Sequence, residues 1–226
     1  MKIRDIIAEA KIDPAIEDVM EKQGYRLVGS GEDQDVYLAP DGTILKIFGT
    51  GPGANAGSYS RGQQSVIDFI KFCQARPNNP FLPQFSDFER FVFKGKYYLQ
   101  IRCERMFDLD AHDAGSIAQY LEELATTVEY HGTERGWESL NRYASTDTGD
   151  RFYRARAQRQ NDAKAQLSML LGSESDAKLM IQTIKQLQAL AKQKRYQFDL
   201  NPDNFMLGSD GGIVINDPFF SGVTRY

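Results

Sequence analysis

The sequence predicts an α+β protein, with strands concentrated in residues 24–106 and helices through most of the remaining chain. Three observations carry that expectation. Apolar runs between 24–48 and 88–103 are short, and they are broken by Pro40-Asp41-Gly42 and Lys94-Gly95-Lys96, both turn-forming sequences. From 107 to 195 apolar residues recur mainly at helical spacing. The chain then returns to strand character on either side of Gly208-Ser209-Asp210-Gly211-Gly212, a run that supplies the positive φ a tight turn requires.

Bulk properties exclude several classes. The chain has 226 residues, enough for one large domain or two small lobes. It is 41% hydrophobic and 26% charged, ordinary for a soluble protein. A net charge of −4 gives no footprint for nucleic acid. Cys73 and Cys103 sit in apolar runs and read as reduced core residues of a cytoplasmic protein. Two histidines and no Cys-x-x-Cys argue against zinc. The first residues, MKIRDIIAEAKI, interrupt their apolar pattern with acids and do not read as a signal peptide. No run reaches the ~20 apolar residues of a membrane span.

Taken in order, residues 1–23 read as a helical appendage, with Asp13-Pro14 as N-cap and first-turn pair of a helix through Lys22. Residues 24–48 read as strands with a Gly29-Ser30-Gly31 bend, a Pro-Asp-Gly turn, and one lysine, Lys46, among apolar residues. Residues 49–62 are rich in Gly, Ser and Ala and read as a loop. A helix from about Gln63 to Ala75 presents Val66, Phe69, Ile70 and Cys73, and Pro77 lies just beyond its end. Phe88–Phe93 and Tyr97–Cys103 form a hairpin leading to Glu104-Arg105-Met106. Ile117–Tyr130 is amphipathic. His131–Asp150 is polar, and Trp137 within it reads as a core or clamp residue. Arg151–Leu171 reads as a helix with a basic start (Arg151, Arg154, Arg156, Arg159), most simply a solvated face. Ser173 caps a last helix through Lys194.

The polar residues of interest lie in Phe198–Phe219. Asp199 opens a loop, Asn204 comes five residues on, and Asp217 closes the second strand thirteen residues after that. Two carboxylates and an amide at one end of a ribbon make a plausible cradle for Mg2+, which takes oxygen ligands and leaves room for phosphate. The plainer reading is a strand-turn-strand whose Asp and Asn are ordinary turn formers.

At these residues the chain resembles the protein kinase-like fold. The catalytic-loop pattern H-R-D-L-x-x-x-N and the D-F-G beyond it align with Gln197, Phe198, Asp199, Leu200, Asn204 and then Asp217-Pro218-Phe219. The His, the Arg and the final Gly are replaced. The Gly-x-Gly bend and Lys46 precede the loop in the order the family requires. The resemblance covers about 24–106 and 174–219, and the form is similar to small serine/threonine kinases encoded by bacteriophages. It implies a two-lobed fold, with an antiparallel-sheet N-lobe at 24–106 and a reduced helical C-lobe at 107–226. It implies that Gly29, Gly31 and Val36 cover ATP, that Lys46 orients its phosphates, and that Glu104 and Met106 lie in the hinge beside adenine. Asn204 and Asp217 would hold Mg2+ or Mn2+, and Asp199 would serve as base. The helix Glu that partners the family's lysine has no counterpart; Asp68 and Gln64 are the nearest candidates. The activation segment and peptide-binding helices of larger kinases are expected to be absent.

The implied activity is transfer of the γ-phosphate of ATP to a hydroxyl. A protein acceptor comes first and a small-molecule acceptor, of the aminoglycoside type, second. The alternative is a pseudokinase that binds a partner or nucleotide without catalysis.

Overall fold

The structure, a computed structural model, describes residues 12–30, 34–49, 59, 61–130 and 147–220, with 125–130, 147–156 and 220 described by backbone alone. In chain order the elements are α1 (Pro14–Lys22), β1 (Arg26–Ser30), β2 (Gln34–Leu38), β3 (Ile44–Gly49), α2 (Arg61–Gln74), β4 (Phe85–Phe93), β5 (Lys96–Cys103) and β6 (Phe107–Asp108). They continue as α3 (Ala111–Tyr130), α4 (Asp147–Leu170), α5 (Glu174–Lys194), β7 (Gln197–Phe198), a 3-10 turn (Pro202–Asn204), β8 (Phe205–Leu207), β9 (Ile213–Ile215) and β10 (Phe219–Phe220). The α+β expectation is met. Contacts divide the chain into two units, one ending at Phe107 and resuming at Leu207, the other spanning Asp108–Met206.

The first unit is built on an antiparallel sheet of five strands in the order β1-β2-β3-β5-β4. Strands form here because branched and aromatic residues alternate between two buried faces. Leu45 and Ile47 of β3 join Tyr37, Tyr98 and the residues Ile12, Ile16 and Met20 in and just ahead of α1 in one cluster. Phe48 of β3 joins Leu99, Ile101 and the α2 residues Ile67 and Ile70 in another. A helix therefore covers each face. The Asp13 carboxylate accepts the Ala15 N–H at 3.0 Å, which starts α1 where the Asp-Pro pair predicts. The β4–β5 turn takes positive φ at both Lys94 and Gly95, 47° and 76°, matching the twist of a two-residue hairpin.

The second unit is helical. Ile117 and Leu121 of α3, Leu167 of α4 and Met180, Ile184 and Leu187 of α5 are buried. Ser173 caps α5 by accepting the Asp176 N–H at 3.0 Å. The helix α5 ends with Arg195 in the left-handed region (φ 59°) and Tyr196 N–H on the Ala191 carbonyl at 2.9 Å. Two helix starts differ from expectation. Helix α3 begins at Ala111, ahead of Ile117, because the Asp110 carboxylate takes the His112 N–H at 2.9 Å and provides the cap. Helix α4 begins at Asp147, ahead of Arg151. Among the basic residues of α4, Arg159 is ion-paired to Glu123 at 3.4 Å. The side chains of Arg151, Arg154 and Arg156 lie outside the described residues, as does Trp137. Among the described residues no helix is long and apolar enough to cross a membrane.

Both cysteines are buried and unpaired, and burial pushes both thiols up. For Cys103 the nearby Lys46 charge works against that shift.

Candidate active site

The sheet register gathers three of the predicted nucleotide-facing residues. Gly29 lies opposite Val36, Val36 opposite Lys46, and Lys46 opposite Ile101. Directly opposed residues share a face, so Gly29, Val36 and Lys46 form one cross-strand row on the α2 side. The β1–β2 ladder slips between Leu27 and Gly29, which marks a bulge at the bend. A Cβ at Gly29 would meet Val36 at an ordinary 3.7 Å, so space between these strands does not demand glycine. Gly31, Glu32 and Asp33 lie outside the described residues. The remaining acid of the bend is occupied: Asp35 accepts the Ser30 hydroxyl at 2.6 Å and the Tyr37 hydroxyl at 3.5 Å. Burial, and after it the Asp35 charge, pushes the Tyr37 phenol well up.

Lys46 is half-buried, and its Nζ donates to Asn216 Oδ1 at 3.2 Å. The nearest partner candidates from the sequence, Asp68 and Gln64, lie on α2. There Gln64 Nε2 donates to Asp68 Oδ1 at 3.0 Å, and Asp68 is only 8% exposed. Asn216 was missed. The available signal was a lone amide ending the apolar run Ile213-Val214-Ile215 immediately before Asp217.

The segment carrying Asn216 is fixed from several sides within the first unit. Ile215 N–H donates to the Phe81 carbonyl at 2.9 Å. The preceding turn closes through Gly208 N–H to Gly212 O at 2.7 Å and Gly212 N–H to Asp210 Oδ1 at 2.9 Å, with Gly211 at φ 80° as the Asp-Gly-Gly run predicts. Asp217 takes φ 48°, a left-handed conformation that costs a non-glycine residue about 1–2 kcal/mol. Phe219, 5% exposed, packs edge-on against Phe69 of α2 at 5.9 Å between ring centroids. Phe219 is thus a core anchor.

Glu104 is a cross-link. Its Oε1 accepts the Gln84 N–H at 2.8 Å, its own N–H donates to the Gln84 carbonyl at 3.0 Å, and Oε2 accepts the Ser209 hydroxyl at 2.9 Å. The Glu104 N–H is thereby engaged within the first unit. Met106 is half-buried two residues on.

In the second unit, Asp199 and Asn204 belong to one self-closed loop. Asp199 Oδ1 accepts the Asn201 N–H at 3.0 Å, and Asn204 Nδ2 donates to the Asp199 carbonyl at 3.3 Å. Asn201 caps the adjoining short turn by accepting the Asp203 N–H at 3.3 Å, with Pro202 supplying the pre-set φ of its first position. Asp199 and Asn204 are both half-buried.

Each unit supplies oxygen donors of the kind a hard cation takes. In the second unit Asn204 uses its amide nitrogen on the Asp199 carbonyl, which leaves its Oδ1 outside that bond; in the first, Asp217 has a carboxylate. Among the described residues no group of three or more His, Cys, Asp or Glu is arranged around a metal position.

No protein-family model matches the chain, and no curated protein matches it. Among solved structures it is similar to the ternary complex of streptomycin, ATP and APH(2")-IIa, with 16% identity over 92% of this chain and 70% of the other, at a TM-score of 0.32.

Proposed function

We propose that the protein is an ATP-dependent phosphotransferase of kinase-like fold. The observation that carries this reading is the row Gly29–Val36–Lys46 on one sheet face, with Lys46 bonded to the residue directly before Asp217. Two glycine-proximal strands, a cation and a carboxylate-bearing segment meet in the first unit as ATP recognition requires. In this reading Val36 packs on the adenine and Lys46 holds the α and β phosphates. Asn204 and Asp217 would ligate Mg2+, which when bound neutralises charge on the phosphates. Asp199 receives the proton of the acceptor hydroxyl as its oxygen bonds the γ-phosphorus and the bond to ADP breaks. The self-closed Asp199–Asn204 loop favours this role, since a catalytic carboxylate needs a fixed frame more than it needs contacts.

The acceptor we favour is a serine or threonine hydroxyl of a protein; a small-molecule hydroxyl is the alternative. A second reading, a pseudokinase, draws on Lys46 having a neutral amide partner and on the engaged N–H of Glu104.

The test is transfer of labelled γ-phosphate from ATP, with Mg2+ or Mn2+, to the protein itself and to a cell lysate. Label from the wild type that is lost in both Lys46→Ala and Asp217→Ala supports the phosphotransferase. A wild type that transfers nothing yet melts higher with ATP gives the pseudokinase. No transfer and no thermal shift removes nucleotide from the account.

A further inference from the structure

We infer that Asn216 is the positioning residue of Lys46, so that the phosphate-binding lysine is anchored to the segment bearing Asp217 and not to helix α2. The inference rests on the phosphotransferase reading for its catalytic meaning, but the anchor itself is a matter of geometry. Lys46 and Asn216 are 170 residues apart in sequence and bond at 3.2 Å in a half-buried setting. Such a contact is made by the fold and not by local chain statistics. Asn216 is covalently adjacent to Asp217, so one short stretch sets the orientation of both the lysine and the carboxylate.

Helix α2 contributes differently. It holds the same stretch through apolar contact, Phe69 against Phe219 at 5.9 Å between ring centroids. Its acid, Asp68, accepts from Gln64 one turn away. And an amide, unlike a carboxylate, orients the lysine without placing a negative charge beside it, which leaves that place to a ligand. That favours a ligand carrying several negative charges close together, a polyphosphate.

The experiment uses the full chain, its Asn216→Ala, Asn216→Asp and Asp68→Ala variants, and acetylation of Lys46 by an amine-reactive ester, read by mass spectrometry with and without ATP. Without ATP, Asn216→Asp slows Lys46 acetylation at fixed pH, since a carboxylate holds the amine in its charged, unreactive form. Asn216→Ala speeds it by freeing the amine. A purely structural role would move neither rate in this opposed way. With ATP, kcat/KM falls about tenfold in Asn216→Ala, the scale of a lost hydrogen bond to a charged group, and falls further than in Asp68→Ala. Equal acetylation rates across the Asn216 variants, or a larger loss in Asp68→Ala, overturn the inference. Should Asn216→Ala melt early, the Asn216→Asp rate, which keeps the acceptor in place, decides alone. If the wild type neither transfers phosphate nor shields Lys46 with ATP, the phosphotransferase reading fails, while the nucleotide-free acetylation rates still report on the anchor.

Discussion

The loop Asp199–Asn204 and the segment Asn216–Phe219 carry similar side chains and hold them by opposite means. The loop is stabilised from within. Each of its polar bonds spans no more than five residues, and its one 3-10 turn has its own cap and its own proline. The segment is stabilised from without, by Lys46 and Phe69 and, through the adjoining Ile215, by the Phe81 carbonyl, and one of its residues sits in a strained backbone region. A loop closed by its own short-range bonds depends less on distant partners for its shape. A segment held by distant partners keeps its shape only while the surrounding unit is folded, and it can store strain because those contacts over-determine it.

The contrast can be broken most forcefully at Phe219. Phe219→Ala should destabilise the protein by about 3–5 kcal/mol, the usual cost of emptying a buried aromatic site. Urea unfolding measures it, and a loss below about 1 kcal/mol would mean that the aromatic contact does not anchor the segment. At Asp217 two substitutions separate strain from charge. Asp217→Val should cost roughly 1–3 kcal/mol, because a branched residue resists positive φ. Asp217→Asn should fold within about 0.5 kcal/mol of wild type, since asparagine tolerates that conformation, while phosphate transfer is lost. In the loop the expected effect is smaller. Asn201→Ala removes one cap and should cost about 0.5–1 kcal/mol, read in the same urea titration. If Asn201→Ala proves as damaging as Phe219→Ala, the loop is not self-sufficient.

The smallest effect concerns Asp41, which copies the bond pattern of Asp199. Its carboxylate accepts both the N–H and the hydroxyl of Thr43, two residues on, at 3.0 and 2.6 Å. Those bonds, with Arg102 nearby, hold its carboxyl below the ordinary value of 3.8. A lowered folded value stabilises the protein in full above the unfolded value and less as pH falls through the folded one. Replacing Asp41 with asparagine should therefore lower stability slightly near neutrality and flatten the acid limb below about pH 4, where the variant and the wild type converge. An unchanged acid limb would show that the Thr43 bonds add nothing to acid stability.

Legibility in the sequence divides along the same line. The Asp13, Lys94-Gly95, Ser173 and Asp-Gly-Gly features were legible because each acts on its immediate neighbours, and each appears in the fold where its chemistry puts it. The face shared by Val36 and Lys46 was recoverable from strand alternation. Asn216 and the Glu104–Ser209 bond were not. Both join residues more than a hundred positions apart, and an amide or a serine at a strand end has many possible uses. The start of α3 was missed for a smaller reason: Asp110 is one of several acids before the helix, and the apolar pattern becomes regular only from Ile117.

Helix α1 bears on how the protein can be handled. Ile16 is 1% exposed and Met20 8%, and both lie in one cluster with Tyr37, Leu45 and Ile47. A chain begun at Gly24, without this helix, would leave that side of the sheet wetted and apolar. Such a surface seeks another copy of itself, so the shortened protein should gather into oligomers or inclusion bodies even with every candidate catalytic residue intact.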